Sequence, residues 1–138
     1  MNSRLEIKAV EEVVKSVWNK FSQQDPNGML ELLDEECTVW DIFQSDLVNK
    51  KSMKEYIDID FQQSAQRGLL TYQMNDMYTT VWENSAICRF LMDFEYQAPN
   101  ATKGVGRITV VLRKFPTKGW KLVHVHEGML PSGIPDQS

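Results

Sequence analysis

The chain has 138 residues, 42% hydrophobic and 25% charged, with a formal net charge of -4. This length suffices for one domain (residues 1–138) with its own core, and the apolar fraction excludes wholesale disorder. The acidic balance leaves no basic stripe to neutralise phosphates, which argues against nucleic-acid binding, and no apolar run approaches the roughly 18 residues of a membrane span.

The N-terminal M-N-S-R-L-E-I-K is too charged for the apolar core of a secretory signal, so a cytoplasmic location is expected. Ser3 and Glu6 have the capping-box spacing, placing a helix start near Ser3. Leu5, Val10, Val13, Val14, Val17, Trp18 and Phe21 then recur at three-four spacing, the stripe of a long amphipathic helix. Asp25-Pro26 restarts the chain as N-cap and first helical residue of a short helix carrying Met29, Leu30, Leu32 and Leu33. Cys37 to Phe43 reads as a strand. Ser52 with Glu55 repeats the capping box, and a third helix carries Met53, Tyr56, Ile57, Phe61 and Ala65, stopping at Gly68. Lys50, Lys51 and Lys54 are soon followed by Glu55 and Asp58 and read as a solvated helix start.

Everything after Gly68 reads as sheet. Leu69 to Trp82 is one long strand, with a bulge expected near Asn75-Asp76; Glu83-Asn84-Ser85 turns it into Ala86 to Tyr96. Pro99 to Lys103 leads into Gly104 to Lys114, and Pro116 to Gly119 turns into the last strand. Residues 131–138, P-S-G-I-P-D-Q-S, form a turn-rich tail expected to be mobile. Three helices and an early strand followed by four antiparallel strands predict a two-layer α+β fold, with the helices on one face of a curved, mainly antiparallel sheet. Long strands curling around a helix enclose a cone open at one end, a natural ligand cavity. Cys37 and Cys88 sit in apolar runs without metal-ligand spacing and are expected to be reduced and buried.

The last strand, W-K-L-V-H-V-H-E-G from Trp120 to Gly128, holds both histidines of the chain. Strand alternation puts Trp120, Leu122, His124 and His126 on one face and Lys121, Val123, Val125 and Glu127 on the other.

Element order and three motifs carry a family resemblance. The last strand looks like W-x-x-V-H-x-H followed by a small residue. G-R-I-T-V-V-L-R-K, from Gly106 to Lys114, looks like G-R-x-T-x-V-x-R. V-W-D, Val39 to Asp41, places an aromatic beside an acid. The chain thus resembles the nuclear transport factor 2-like superfamily in its SnoaL-like branch, and is similar to the association (hub) domain of calcium/calmodulin-dependent protein kinase II. The resemblance implies a cone-shaped, cystatin-like fold and, through the sheet face away from the helices, a homodimer or higher oligomer. It covers isomerases, cyclases, dehydratases, transport adaptors and hubs alike, so the reaction is not implied. Two departures stand out. Glu127-Gly128 replaces the serine or serine-glycine common after the second histidine, and no tyrosine accompanies Trp18 and Phe21 where an isomerase-like oxyanion hole would need one.

His124 and His126 can act as acid or base, or donate to an anionic ligand; equally, they can be a buried pair satisfied by backbone or by Asp41. Asp41, flanked by Trp40 and Ile42, is a candidate general base or a partner for a histidine or for Arg107. Arg107 would hold a carboxylate ligand if its face lines the cone, and is a surface arginine otherwise. Trp18, Trp40 and Tyr56 read as core and as the aromatic lining of any cone. No metal or cofactor is expected. The sequence therefore supports a binding or association domain for a small polar or carboxylate ligand. The alternative is a cofactor-independent isomerase, cyclase or dehydratase acting by acid/base chemistry on a hydrophobic carbonyl compound. Where Asp41 points discriminates between them.

Overall fold

The computed structural model describes residues 3–42, 45–62, 70–97 and 102–130. The expectations for the Ser3 cap, the Phe61 side chain, Ala65, the Gly68 stop, the Pro99 turn and the tail lie outside the described residues. Those residues form three helices and six strands: α1 (Ser3–Ser22), α2 (Pro26–Glu31), β1 (Leu33–Trp40), β2 (Val48–Asn49), α3 (Lys50–Gln62), β3 (Leu70–Trp82), β4 (Ser85–Tyr96), β5 (Thr102–Phe115) and β6 (Gly119–Met129). The strands make one mixed sheet in the order β2-β1-β6-β5-β4-β3. Neighbours pair antiparallel except β1 and β6, which run parallel.

The buried stripe of α1 is Val10, Val14, Val17 and Trp18. Burying side chains of this size contributes about 1.5–3 kcal/mol each. The Trp18 ring meets Phe90 of β4 edge-on, with centroids 5.3 Å apart, which fixes the end of α1 against the sheet. Leu5 departs from the expected stripe and is 64% exposed. Glu6 has a larger role than a cap. Its carboxylate accepts from the Trp120 indole N–H at 2.9 Å and from Lys114 Nζ at 3.0 Å, tying the start of α1 to β5 and β6. These two bonds hold its carboxyl below the usual range.

Asp25 caps α2 as expected, its Oδ1 accepting from the Gly28 N–H at 3.0 Å, with Pro26 in the first turn. The helix closes earlier than its apolar residues suggest: Leu32 is its C-cap and Leu33 already belongs to β1. The first strand thus begins four residues before the predicted Cys37. The third helix also starts early, at Lys50, because Asn49 rather than Ser52 supplies the cap: Asn49 Oδ1 accepts from the Ser52 N–H at 2.9 Å. Both cysteines are buried and unlinked. Burial, with the nearby Asp34 charge, pushes the Cys37 thiol up to about 12, so it is inert as a nucleophile.

Two strands carry one extra residue each. In β3 the ladder shifts between Asn75 and Tyr78, with Asp76 at φ 55°, where the Asn-Asp pair predicts a bulge. In β6 the partners pass from Leu112↔Leu122 to Val111↔His124, so Val123 is the extra residue. An inserted residue reverses the facing of everything beyond it. Gly119, at φ +73°, closes the β5–β6 turn in the left-handed backbone region that favours glycine.

Candidate functional site

The bulge at Val123 decides what the last strand presents to the interior. Before it, Trp120 and Leu122 point inward and are buried; beyond it, Val125 is buried and Glu127 borders the same interior space. His124 and His126 are turned to the outer face. This corrects the expected shared face of Trp120, Leu122, His124 and His126. His124 Nδ1 lies 2.8 Å from the Thr38 hydroxyl on the neighbouring β1, and His126 is exposed opposite Trp40.

The interior space is a cavity of about 420 Å³ between the helices and the sheet. From α1 it receives Val17, Trp18 and Phe21; from α3, Met53, Tyr56, Ile57 and Ile59; from β4, Met92, Phe94 and Tyr96. Tyr56 and Ile59 are 42% and 49% exposed and mark its open side. Polar atoms are few: the Tyr56 and Tyr96 hydroxyls, Thr102, and two carboxyl groups, Asp41 and Glu127. No Lys, Arg or His is among the described lining residues.

The two acids meet because β1 and β6 run parallel in register, with Val39 beside Val125 and Trp40 beside His126. One step further brings Asp41 level with Glu127. Asp41 lines the cavity with Glu127. Glu127 Oε1 accepts from the Ile42 N–H at 3.3 Å. Desolvation pushes the Glu127 carboxyl well above the usual range; the negative charge of Asp41 and a hydrogen bond between the two add to the rise, and the Ile42 N–H opposes it. Glu127 thus favours its protonated form beside Asp41. A carboxyl that favours its protonated form and a second carboxyl hydrogen-bonded to it stand side by side in a largely apolar wall.

Of the residues singled out by sequence, Asp41, Trp18 and Tyr56 line the cavity, whereas Trp40, Arg107, His124 and His126 do not. Arg107 is exposed and alternates with the buried Ile108. Trp40, 39% exposed, alternates with the buried Val39. Glu127 is the residue that sequence reasoning missed. Its signal was present: apolar positions run 120, 122 and then 123, 125, a change of parity that strict alternation does not allow. Among the described residues, no group of three or more His, Cys, Asp or Glu side chains is placed to hold a metal ion.

The sequence profile of the SnoaL-like domain matches residues 10–131, which span both the helical wall and the carboxyl pair. The chain belongs to the SnoaL-like domain family. Its fold is the nuclear transport factor 2-like, cystatin-like α+β fold, shared with many solved structures. A candidate dehydratase of the NTF2-like family from Streptomyces avermitilis superposes with a TM-score of 0.82 at 12% identity, over 95% of this SnoaL-like chain and all (100%) of the other. The CaMKII hub of S. rosetta matches with a TM-score of 0.74 at 20% identity, over 90% of this chain and 96% of the hub. A ketosteroid isomerase-like protein from Erwinia carotovora atroseptica gives 0.73 at 14%, over 91% and 97%. No curated protein matches this SnoaL-like chain significantly in sequence. At these identities the likeness fixes the fold. No described helix is long and apolar enough to cross a membrane.

Proposed function

We propose that this SnoaL-like protein is a cofactor-independent acid/base enzyme that takes a small hydrophobic carbonyl compound into its conical cavity. The observation that carries this reading is the Asp41–Glu127 pair in an otherwise apolar chamber. Asp41, as the carboxylate, accepts a proton from the carbon next to the carbonyl. Glu127, holding its proton, donates a hydrogen bond to the oxygen on which negative charge develops. Positioned proton transfer of this kind contributes roughly 10²–10⁴-fold in rate, and the low dielectric of the cavity strengthens the donated bond. The same pair suits loss of water from a β-hydroxy carbonyl compound: the base removes the proton and the acid protonates the departing hydroxyl. Trp18 and Tyr56 contribute shape and apolar contact. A free carboxylate ligand is disfavoured, since the described lining offers two carboxyl groups and no Lys, Arg or His.

The test is deuterium uptake at the α-carbon of a hydrophobic ketone such as 2-tetralone, followed by proton NMR in D₂O. Wild type should exchange well above buffer, and Asp41→Asn should lose on the order of 10²-fold or more of that excess. Binding of the ketone without any catalysed exchange would reduce the protein to a binding module.

The outer sheet face supports a second role, association. Trp40, Tyr78 and Trp82 are exposed there, 39%, 66% and 52%, beside half-buried Ile87, Leu91 and Val111. With a CaMKII hub among the structural relatives, we propose that this face forms a homodimer in which Arg107, His124, His126 and Trp40 belong to the interface instead of the cavity. Light scattering at micromolar concentration should give the mass of two chains or more; a monomer would end the proposal.

A further inference from the structure

Burial along the cavity is graded, and the gradient has a direction. At the inward-facing positions of β6, Leu122 is 0% exposed, Val125 5%, Glu127 half-buried and Met129 42% exposed. The first strand repeats the order: Leu33 and Val39 are buried, and Asp41, just past its end, is half-buried. In α3 the lining residues Met53 and Ile57 are buried, while Tyr56 and Ile59 stand at the open side. The cavity therefore has a closed end walled by Leu33, Val39, Met53, Ile57, Leu122 and Val125. The Asp41 and Glu127 carboxyls lie between that end and the opening. With the bulged Val123 discounted, Leu122 and Glu127 are four strand residues apart, roughly 13 Å at about 3.3 Å per residue.

This order dictates how a ligand lies. The described side chains of the closed end are all apolar, so a carbonyl oxygen buried there loses its water and finds no donor among them. A hydrocarbon chain gains most from the same place, about fourfold in affinity for each methylene taken out of water. Both demands are met when the hydrocarbon goes in first and the carbonyl stops beside Asp41 and Glu127. Whatever is bonded to the carbonyl carbon on its other side then points past Tyr56 and Ile59 toward solvent.

We propose that the cavity selects compounds whose carbonyl group stands at the end of a hydrocarbon chain, taken in hydrocarbon first, and that the group beyond the carbonyl is left at the opening, where the polar arm of an ester or thioester is accommodated. This rests on the reading of the cavity as the site of a hydrophobic carbonyl compound, and it narrows that class to acyl-type molecules. A carbonyl in the middle of a chain satisfies the chemistry but wastes the closed end.

Two isomeric ketones of equal composition test it, 2-octanone and 4-octanone, titrated into the protein by ligand-observed NMR, with 2-hexanone as the shorter homologue. The expected result is 2-octanone binding at least about fivefold more tightly than either, because two more methylenes reach the closed end. The N-acetylcysteamine thioester of heptanoic acid carries the same hexyl chain and should match 2-octanone, its polar arm lying outside. Isotope-filtered nuclear Overhauser contacts should place the C8 methyl of 2-octanone against Leu122 and Val125, and its C1 methyl near Tyr56 and Ile59. Equal affinity of the two octanones overturns the inference, as does loss of binding by the thioester or a C8 methyl found at Tyr56 and Ile59. Absence of binding by every probe overturns it together with the reading of the cavity as a ligand site. Catalysed exchange of 2-tetralone alongside equal octanone affinities would refute the orientation alone and leave the acid/base reading standing.

Discussion

Replacing Glu127 by glutamine separates the Glu127 proton from the shape of the site. Glutamine can reproduce both bonds of the protonated acid: its Oε1 can accept the Ile42 N–H, 3.3 Å from the present oxygen, and its Nε2 can donate to Asp41. What it cannot do is titrate. In wild type the folded protein holds the Glu127 proton more tightly than the unfolded chain does, because burial and Asp41 raise the carboxyl. The stabilisation is fully present below the unfolded pKa of about 4.3. It declines as pH rises toward the folded pKa, because the unfolded chain then binds fewer protons than the native one. The limiting slope is about -1.4 kcal/mol per pH unit for one proton. For a chain of this length that is about 5 °C of melting temperature per pH unit. Glu127→Gln should remove this slope, so that the difference in melting temperature, variant minus wild type, grows with pH between about 5 and the folded pKa and then levels off. Differential scanning calorimetry across that range, in buffers of matched ionic strength, reads it directly. Parallel stability curves for the two proteins would refute the reasoning, since they would mean that Glu127 binds its proton no more tightly in the fold than out of it.

Other outcomes follow from the same geometry. Leu122→Ala, at a fully buried position facing the helices, should cost about 2–5 kcal/mol in urea unfolding, because the surrounding core closes only partly over the gap. Gly119→Ala, at φ +73° with open space around the added methyl, should cost about 1–2 kcal/mol through backbone strain alone. Deleting Val123 removes the bulge and returns Val125 and Glu127 to the outer face; far-UV and near-UV circular dichroism should show lost tertiary packing, while Val123→Thr retains it.

Much of the architecture was legible because it rests on local physics. The α1 stripe, the Asp25-Pro26 restart, the Asn75-Asp76 bulge and the antiparallel order of β3 to β6 follow from periodicity and turn chemistry, and the last two strands pointed to the family. The site was legible only in part. Asp41 stood out as an acid among apolar neighbours and does border the cavity. Glu127 did not, because a one-residue bulge inverts a strand's faces, and the run from Trp120 to His126 marks it only by the shift of apolar parity, with no glycine, proline or polar pair beside it. The pairing of β1 with β6 was equally hidden. It joins residues 86 positions apart, such as Thr38 and His124, and no local pattern encodes a parallel partner at that distance. Caps moved for a similar reason: Asn49 and Ser52 both suit the role, and the β2 edge strand ending at Asn49 selects the earlier one.

The central claim is that Glu127 holds its proton beside Asp41 at the cavity wall. The most direct measurement is a carbon-13 NMR titration of the side-chain carboxyl resonances, with Asp41→Asn and Glu127→Gln used for assignment. The account predicts that the Glu127 carboxyl stays protonated well above the ordinary value of 4.5 and loses that elevation in part when Asp41 becomes asparagine. A Glu127 carboxyl that titrates near 4.5 in both proteins would contradict it.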